Sequence, residues 1–139
     1  MKTESNSDEL EGKINSAIEE IYKDVGLKCN LNAESVYFSG RCEDVSPALV
    51  EKLNKEGFRA KLVHYGGWDI TSHEFVLIDD TLVVDPTWQQ FLSEPDPNLP
   101  RVLICDVSKL DQVLEKLSLQ DKKHIWQKAL DEVDKSPHH

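Results

Sequence analysis

Two short apolar segments with three polar residues between them most strongly constrain how this chain can fold. Residues 75–78 and 82–84 are rich in β-branched and apolar side chains, and residues 79–81 are two aspartates and a threonine. This pattern predicts a β-hairpin with a short loop. If the loop has three residues, the last residue of the first strand pairs with the first residue of the second. Odd-numbered side chains then share one face of the hairpin.

The same register brings a histidine and an aspartate together. His73 opens the first strand, and Asp85 closes the second strand just before Pro86. With a three-residue loop, His73 and Asp85 are diagonal neighbours on one face, close enough for an imidazole and a carboxylate to meet. A loop of two or four residues would put them on opposite faces. An imidazole oriented by a carboxylate is typical of a general base, whereas nothing in the sequence orients the competing candidate, His64.

Cys42 is the candidate nucleophile for that base. A thiol is a good nucleophile only as the thiolate, and a neighbouring imidazole held in one tautomer can generate it. Cys42 follows Ser39 and Gly40 and precedes an amphipathic segment that predicts a helix. Packing alone explains a cysteine in this position poorly. The order Cys42, His73, Asp85 therefore predicts a catalytic triad.

The helix after Cys42 has two alternative starting points. Ser46 and Pro47 are a favourable N-cap and first-turn pair. Pro47 therefore either bends a helix that begins near Arg41 or leaves Cys42 in the turn ahead of the helix. In the second case the helix dipole assists a thiolate less. The acidic residues 43–44 oppose a thiolate as well, so the imidazole would have to supply most of the activation.

The two segments that carry these residues resemble the papain-like and transglutaminase-like fold core. They read SGRCEDVSPALVEKLNKEGFRAKLV and SHEFVLIDDTLVVDPTWQQF, and the resemblance spans residues 36–92. The chain is most similar to the papain-fold deamidase domains of bacterial toxins and effectors, in which the pattern H-x-F-V … D-P-T-x-x-Q-F recurs. The resemblance implies an α+β fold with a small antiparallel sheet packed with helices. It also implies a cysteine hydrolase that uses Cys42, His73 and Asp85 to deamidate a glutamine side chain of a protein substrate, without a cofactor.

Three further residues are candidates for oxyanion or substrate binding. Gln90 matches a position linked to activity in the toxin domains, so the resemblance implies a donor to the oxyanion; the alternative is a solvated helix residue. Trp88 and Trp68 are either walls of the substrate groove or core aromatics, and aromatic side chains more often pack than recognise. No ligand spacing predicts a metal site.

The same triad would also serve other functions on this fold. Peptide-bond cleavage by a papain-like peptidase and transamidation by a transglutaminase use the same acyl-enzyme chemistry, and groove shape and water access separate them. A non-catalytic module that binds a partner through the same groove belongs to a different class. The resemblance favours protein-glutamine deamidation among these.

Length and composition predict one soluble domain. A chain of 139 residues, 39% of them hydrophobic and 30% charged, can form a core without disulfides. Residues 1–7 are expected to be a disordered tail and residues 8–135 a single catalytic domain, beginning with an amphipathic helix that Gly26 ends. Residues 136–139 are expected to be a tail, and its two terminal histidines are typical of a purification tag.

Charge and cysteine content restrict the partners and the compartment. A formal net charge of −10 argues against nucleic-acid binding, and no apolar run is long enough to span a membrane. The three cysteines, Cys29, Cys42 and Cys105, form no CxxC pair, which favours a reducing compartment. The cytoplasm of the producing cell, or of a target cell for a delivered effector, is therefore expected. Cys105 ends an apolar run and is predicted to be a core residue.

Overall fold

The computed structural model describes residues 2–28, 45–66, 72–94 and 96–135, which form a mixed α+β structure with four α-helices and one four-stranded sheet. In chain order the elements are α1 (Lys2–Lys28), α2 (Val45–Lys55), β1 (Ala60–Gly66), β2 (Ser72–Ile78), β3 (Leu82–Asp85), β4 (Leu103–Asp106), α3 (Leu110–Lys116) and α4 (Lys123–Lys135). Short 3-10 turns cover Trp88–Phe91, Val107–Lys109 and Gln120–Lys122. The predicted class, a small antiparallel sheet with helices packed on it, is confirmed.

The sheet is antiparallel throughout, with the strands in the order β1-β2-β3-β4. Ile78 pairs with Leu82, so the β2–β3 loop has the three residues that the odd-face register requires. Asp79 and Asp80 have φ angles of 53° and 61°, in the left-handed region that aspartate tolerates better than most residues. The predicted hairpin register is therefore confirmed.

Helices cover both faces of this sheet. Successive side chains of a strand point to opposite faces, so even-numbered and odd-numbered residues enter different clusters. The α1/α2 face, named after the helices that cover it, contains these buried residues: Ile14, Ala17, Ile18, Ile21, Tyr22, Val25, Val45, Leu49, Leu53, Ala60, Val76, Ile78, Val84 and Val102. The α3/α4 face contains these: Val63, Tyr65, Phe75, Leu77, Val83, Trp88, Leu103, Leu110, Leu114, Leu119, Ile125, Trp126 and Ala129.

The first helix is longer than predicted at both ends. It begins at Lys2, within the stretch that was expected to be a disordered tail, and it continues past Gly26 to Lys28. The buried residues between Ile14 and Val25 anchor the helix on the sheet. Once a helix is nucleated, each further residue adds a backbone hydrogen bond without a new nucleation cost, so it can extend beyond its packed part.

The second helix begins, in the part that the structure describes, at Val45, with Ser46 and Pro47 in its first turn. A proline is tolerated there because the first backbone N–H groups of a helix have no partner within the helix. Cys42 lies outside the described residues, and so do Trp68 and the predicted tail 136–139.

Candidate active site

A buried histidine and a buried aspartate meet on the α3/α4 face. The distance from His73 Nε2 to Asp85 Oδ2 is 2.6 Å, and the two side chains are 2% and 0% exposed. His73 is the second residue of β2 and Asp85 the last of β3, so the hairpin register puts both on the odd face. The contact predicted from loop length is therefore present. In so buried a position, such a hydrogen bond is electrostatically stronger than it would be in water.

Asp85 receives two more hydrogen bonds. The indole Nε1 of Trp126 donates to Oδ2 over 2.8 Å, and the backbone N–H of Thr87 donates to Oδ1 over 3.1 Å. An ionised carboxylate only accepts hydrogen bonds, and both of these groups are N–H donors. The ring nitrogen of His73 that faces this carboxylate then carries a proton.

The other ring nitrogen of His73 faces Gln90. The distance from Gln90 Nε2 to His73 Nδ1 is 3.3 Å, and the same amide group donates to Thr87 O over 3.0 Å and lies 3.2 Å from Thr87 Oγ1. If Nε2 carries the proton of a neutral imidazole, Nδ1 keeps its lone pair and accepts from the amide. Nδ1 is therefore the atom of this pair that can take up a proton from a reacting group.

Aromatic rings surround the imidazole. Phe91 lies edge-on at 4.8 Å between ring centroids, Trp126 edge-on at 6.0 Å and Phe75 stacked at 6.1 Å. Apolar walls exclude water and lower the local dielectric, which favours charge-assisted hydrogen bonds inside the site.

The 3-10 turn Trp88–Phe91 presents its residues to different surroundings. Gln90 and Phe91 lie against His73, whereas Gln89 is buried and its amide bonds to the backbone of Asp96 and Pro100. Trp88 is 0% exposed and donates to Pro100 O over 3.0 Å. Of the two roles considered for Trp88, the structure shows that of a core aromatic. Its side chain lies within the buried α3/α4 cluster.

Cys105, the free cysteine within the described residues, is a half-buried thiol that packs against the α3/α4 cluster. It is only partly exposed, and burial, followed by the negative charge of Asp106, raises its pKa to about 11. Since reactivity depends on the thiolate, Cys105 is a poor nucleophile near neutral pH. The prediction that Cys105 is a core residue is therefore wrong in degree, because the side chain is only half-buried beside the core.

His64 lies on the opposite face of the sheet from His73. It pairs with Glu74 in the β1–β2 ladder, while Tyr65 pairs with His73, so the alternation of β1 turns His64 away from Asp85.

Throughout the part of the chain that is described, no group of three His, Cys, Asp or Glu side chains is arranged to hold a metal ion. In the same residues, no helix combines the length and the apolar character that a membrane span requires.

The start of α2 is attached to the strand that carries His73. Ser46 Oγ donates to the backbone oxygen of Glu74 over 3.2 Å, and Glu74 directly follows His73. This hydrogen bond brings the first turn of α2 to the end of the sheet at which the His73–Asp85 pair lies.

Sequence reasoning missed Trp126, which completes the hydrogen bonding of Asp85. Its position next to Ile125 on the apolar side of α4 indicates a core residue, but no pattern in the sequence relates it to a residue 41 positions earlier.

Comparison with protein-family models, with curated proteins and with solved structures finds no match to this chain.

Proposed function

We propose that this protein is a thiol-dependent protein-glutamine deamidase of the bacterial toxin and effector type, built on a papain-like or transglutaminase-like core. Cys42 is the nucleophile, His73 the general base and acid, and Asp85 the residue that orients the imidazole. The observation that carries the proposal is the buried hydrogen bond from His73 Nε2 to Asp85, which leaves Nδ1 as an acceptor. Such a pair is what a thiol needs to become a thiolate.

Chain length allows Cys42 to reach the end of the sheet that carries His73, although α2 packs on the α1/α2 face and the His73 ring lies on the α3/α4 face. The Cα of Cys42 is at most about 11 Å from that of Val45, because three peptide units separate them. The first turn of α2, which contains Val45 and Ser46, is bonded to β2 next to His73. Cys105 is a weaker choice because its pKa is raised to about 11.

The proposed reaction has two steps. His73 Nδ1 takes the thiol proton, the sulfur of Cys42 forms a bond to the carbon of the glutamine carboxamide, and the C–N bond breaks as His73 returns the proton to the leaving ammonia. Water then gives a proton to His73 as its oxygen bonds to the thioester carbon, the C–S bond breaks, and His73 returns the proton to the sulfur of Cys42, which regenerates the thiol and releases the glutamate product. Asp85 stabilises the imidazolium that exists between the two transfers.

Gln90 is proposed to act beside the base. Its amide nitrogen lies 3.3 Å from Nδ1, so in the resting protein the amide N–H caps the nitrogen that must receive the thiol proton. When a substrate enters, the amide leaves Nδ1 and becomes available as a donor to the oxyanion, which is the role expected for Gln90. Peptidase and transglutaminase chemistry remain the alternatives for the same acyl-enzyme.

A non-catalytic binding module is the second candidate. Both ring nitrogens of His73 already have partners, and among the described residues every buried side-chain nitrogen or oxygen is hydrogen-bonded. A network satisfied in this way also serves to hold the β2–β3 hairpin against α4 without any chemistry.

An assay with casein, whose chains offer many glutamines and lysines, distinguishes these functions by mass spectrometry. A deamidase converts glutamine to glutamate, a peptidase creates new chain termini, and a transglutaminase forms cross-links. We expect glutamate formation that Cys42→Ala abolishes and Cys105→Ala leaves unchanged. Wild-type protein that gives none of these products, and whose Cys42 is no more reactive toward iodoacetamide than Cys105, would support the binding module.

A further inference from the structure

Two tryptophans are fully buried on the α3/α4 face, and their indole N–H groups have different acceptors. Trp88 and Trp126 are each 0% exposed. Trp88 donates to a neutral backbone oxygen, that of Pro100, over 3.0 Å. Trp126 donates to the carboxylate of Asp85 over 2.8 Å. Core packing accounts for the burial of both rings equally well, but only the indole N–H of Trp126 is hydrogen-bonded to a residue of the candidate site.

The hydrogen bond from Trp126 falls on the oxygen that His73 uses. Asp85 Oδ2 accepts from His73 Nε2 and from Trp126 Nε1, and Asp85 Oδ1 accepts from the backbone of Thr87. The ring of Trp126 also lies edge-on to the imidazole, 6.0 Å between centroids, and packs against Phe91 at 5.3 Å. Trp126 therefore contacts both members of the pair.

We propose that Trp126 is a positioning residue, whose indole N–H holds the Asp85 carboxylate in the one orientation that keeps the proton of His73 on Nε2. The terminal torsion of an aspartate is broad and roughly two-fold, and apart from the indole the carboxylate is held only by the Thr87 backbone at Oδ1 and by the imidazole itself at Oδ2. A second donor at Oδ2 removes that freedom, in the way that outer hydrogen bonds orient a functional side chain. Its catalytic consequence rests on the function proposed above, whereas its effect on the His73 tautomer does not.

This assignment makes the last helix part of the site. Trp126 lies in the first turn of α4, and Ile125 and Ala129, on the same helix, are buried in the α3/α4 cluster. The indole is thus held by a rigid element that packs on the sheet. The position of the carboxylate then depends on how α4 is seated, and the candidate site extends well beyond residues 36–92.

Nuclear magnetic resonance of the substrate-free protein tests the proposal through a matched pair of variants. Trp126→Phe removes the N–H and keeps an aromatic ring, and Trp88→Phe does the same where the acceptor is a backbone oxygen. In Trp126→Phe we expect the His73 Nε2 proton to exchange with water about ten-fold faster or more, because the carboxylate loses a charge-assisted donor. The Nδ1–H tautomer should become detectable as well. In Trp88→Phe both quantities should stay within about two-fold of wild type, since its lost bond does not reach Asp85. Equal changes in the two variants, or none in Trp126→Phe, would overturn the proposal.

A second measurement applies if Trp126→Phe does not fold. In Asp85→Asn the charge on the acceptor is lost, so the indole N–H resonance of Trp126 should move upfield while that of Trp88 stays in place. An unmoved Trp126 resonance would contradict the proposal. Neither readout needs turnover. If these signals change as expected, the positioning role of Trp126 is supported even when casein is not deamidated. If casein is deamidated but the signals do not change, the positioning role is contradicted. Where turnover is present, Trp126→Phe should lower kcat with KM within about two-fold, since no contact to substrate is lost.

Discussion

The two faces of the sheet have opposite characters although the same strands supply both. The buried hydrophobic residues of the α1/α2 face are aliphatic apart from Tyr22, whose hydroxyl donates to Pro86 O, and α2 adds one buried hydroxyl, that of Ser46. The α3/α4 face carries His73 and Asp85 together with two buried indoles. Val84 and Asp85 are adjacent in β3 and both 0% exposed, yet they belong to different faces. One face therefore provides stability by apolar packing, and the other holds a polar network within its core.

The polar network is compatible with a folded core because its members satisfy one another. A buried polar group without a partner costs about 1–3 kcal/mol, and more if it is charged. Asp85 has three donors and the imidazole has a partner at each nitrogen. Substitutions on the α1/α2 face should lower the free energy of unfolding according to the cavity that they create. Substitutions within the polar network of the α3/α4 face should also leave buried polar groups without partners.

The largest expected effect separates Val84 from Asp85. An asparagine at position 85 has one acceptor oxygen where the carboxylate has two, and it carries no charge to stabilise an imidazolium. Asp85→Asn should therefore lower glutamine hydrolysis by about 10³–10⁴-fold in protein that remains folded. Val84→Ala should keep the turnover of the folded protein and lower its unfolding free energy by about 1–3 kcal/mol. Casein deamidation and urea unfolding measure the two quantities. Comparable turnover in the two variants would remove the functional distinction between the faces.

A smaller effect distinguishes two thiols. With a pKa raised to about 11, roughly one Cys105 thiol in a thousand is ionised at pH 8. We expect iodoacetamide to label Cys42 at least about 100-fold faster than Cys105 at pH 6.5, and His73→Ala to reduce that ratio strongly. Labelling of Cys105 should rise about ten-fold per pH unit until the pH approaches its pKa. Equal labelling rates at pH 6.5 would leave Cys42 without an activating base.

Two leucines test two expectations about packing. Packing should contribute equally to stability on both faces, but only packing on the α3/α4 face should affect the His73–Asp85 pair. Leu49 on the α1/α2 face and Leu114 on the α3/α4 face are each 0% exposed. Either change to alanine should cost about 2–5 kcal/mol of unfolding free energy, which urea titration measures. Only Leu114→Ala should also speed exchange of the His73 ring proton, because Leu114 belongs to the cluster that contains Trp126. Faster exchange in Leu49→Ala would mean that the faces are coupled.

The smallest effect is expected at the surface, where an ion pair joins the helices of each face. Lys52 pairs with Glu20 between α1 and α2, and Lys123 pairs with Glu115, which lies on α3. The hydrogen bond and charge of Lys52 hold the pKa of Glu20 below its usual range. Any stabilisation by Glu20 is therefore present near neutral pH and lost as the pH falls through that pKa. Glu20→Gln and Glu115→Gln should both lower the thermal midpoint only slightly, and high salt should remove the difference. A large, salt-independent loss would contradict this.

Much of the site could be predicted because it depends on local rules. Loop length determines strand register, and register determines which side chains share a face, so the meeting of His73 and Asp85 followed from residues 73–85 alone. The proximity of Gln90 to His73 was not predicted from geometry, because the 3-10 turn that points Gln90 and Gln89 in different directions has no distinctive pattern.

The sequence by itself determined the hairpin, its register and the alternation that divides β3 between two faces, because these depend on neighbours along the chain and on the two-residue period of a strand. Only the tertiary structure decided that Trp126 bonds to Asp85 and that Trp88 is a core residue. These contacts depend on how helices seat on a sheet. That seating is set by the packing of many side chains at once, and no spacing in the sequence encodes it.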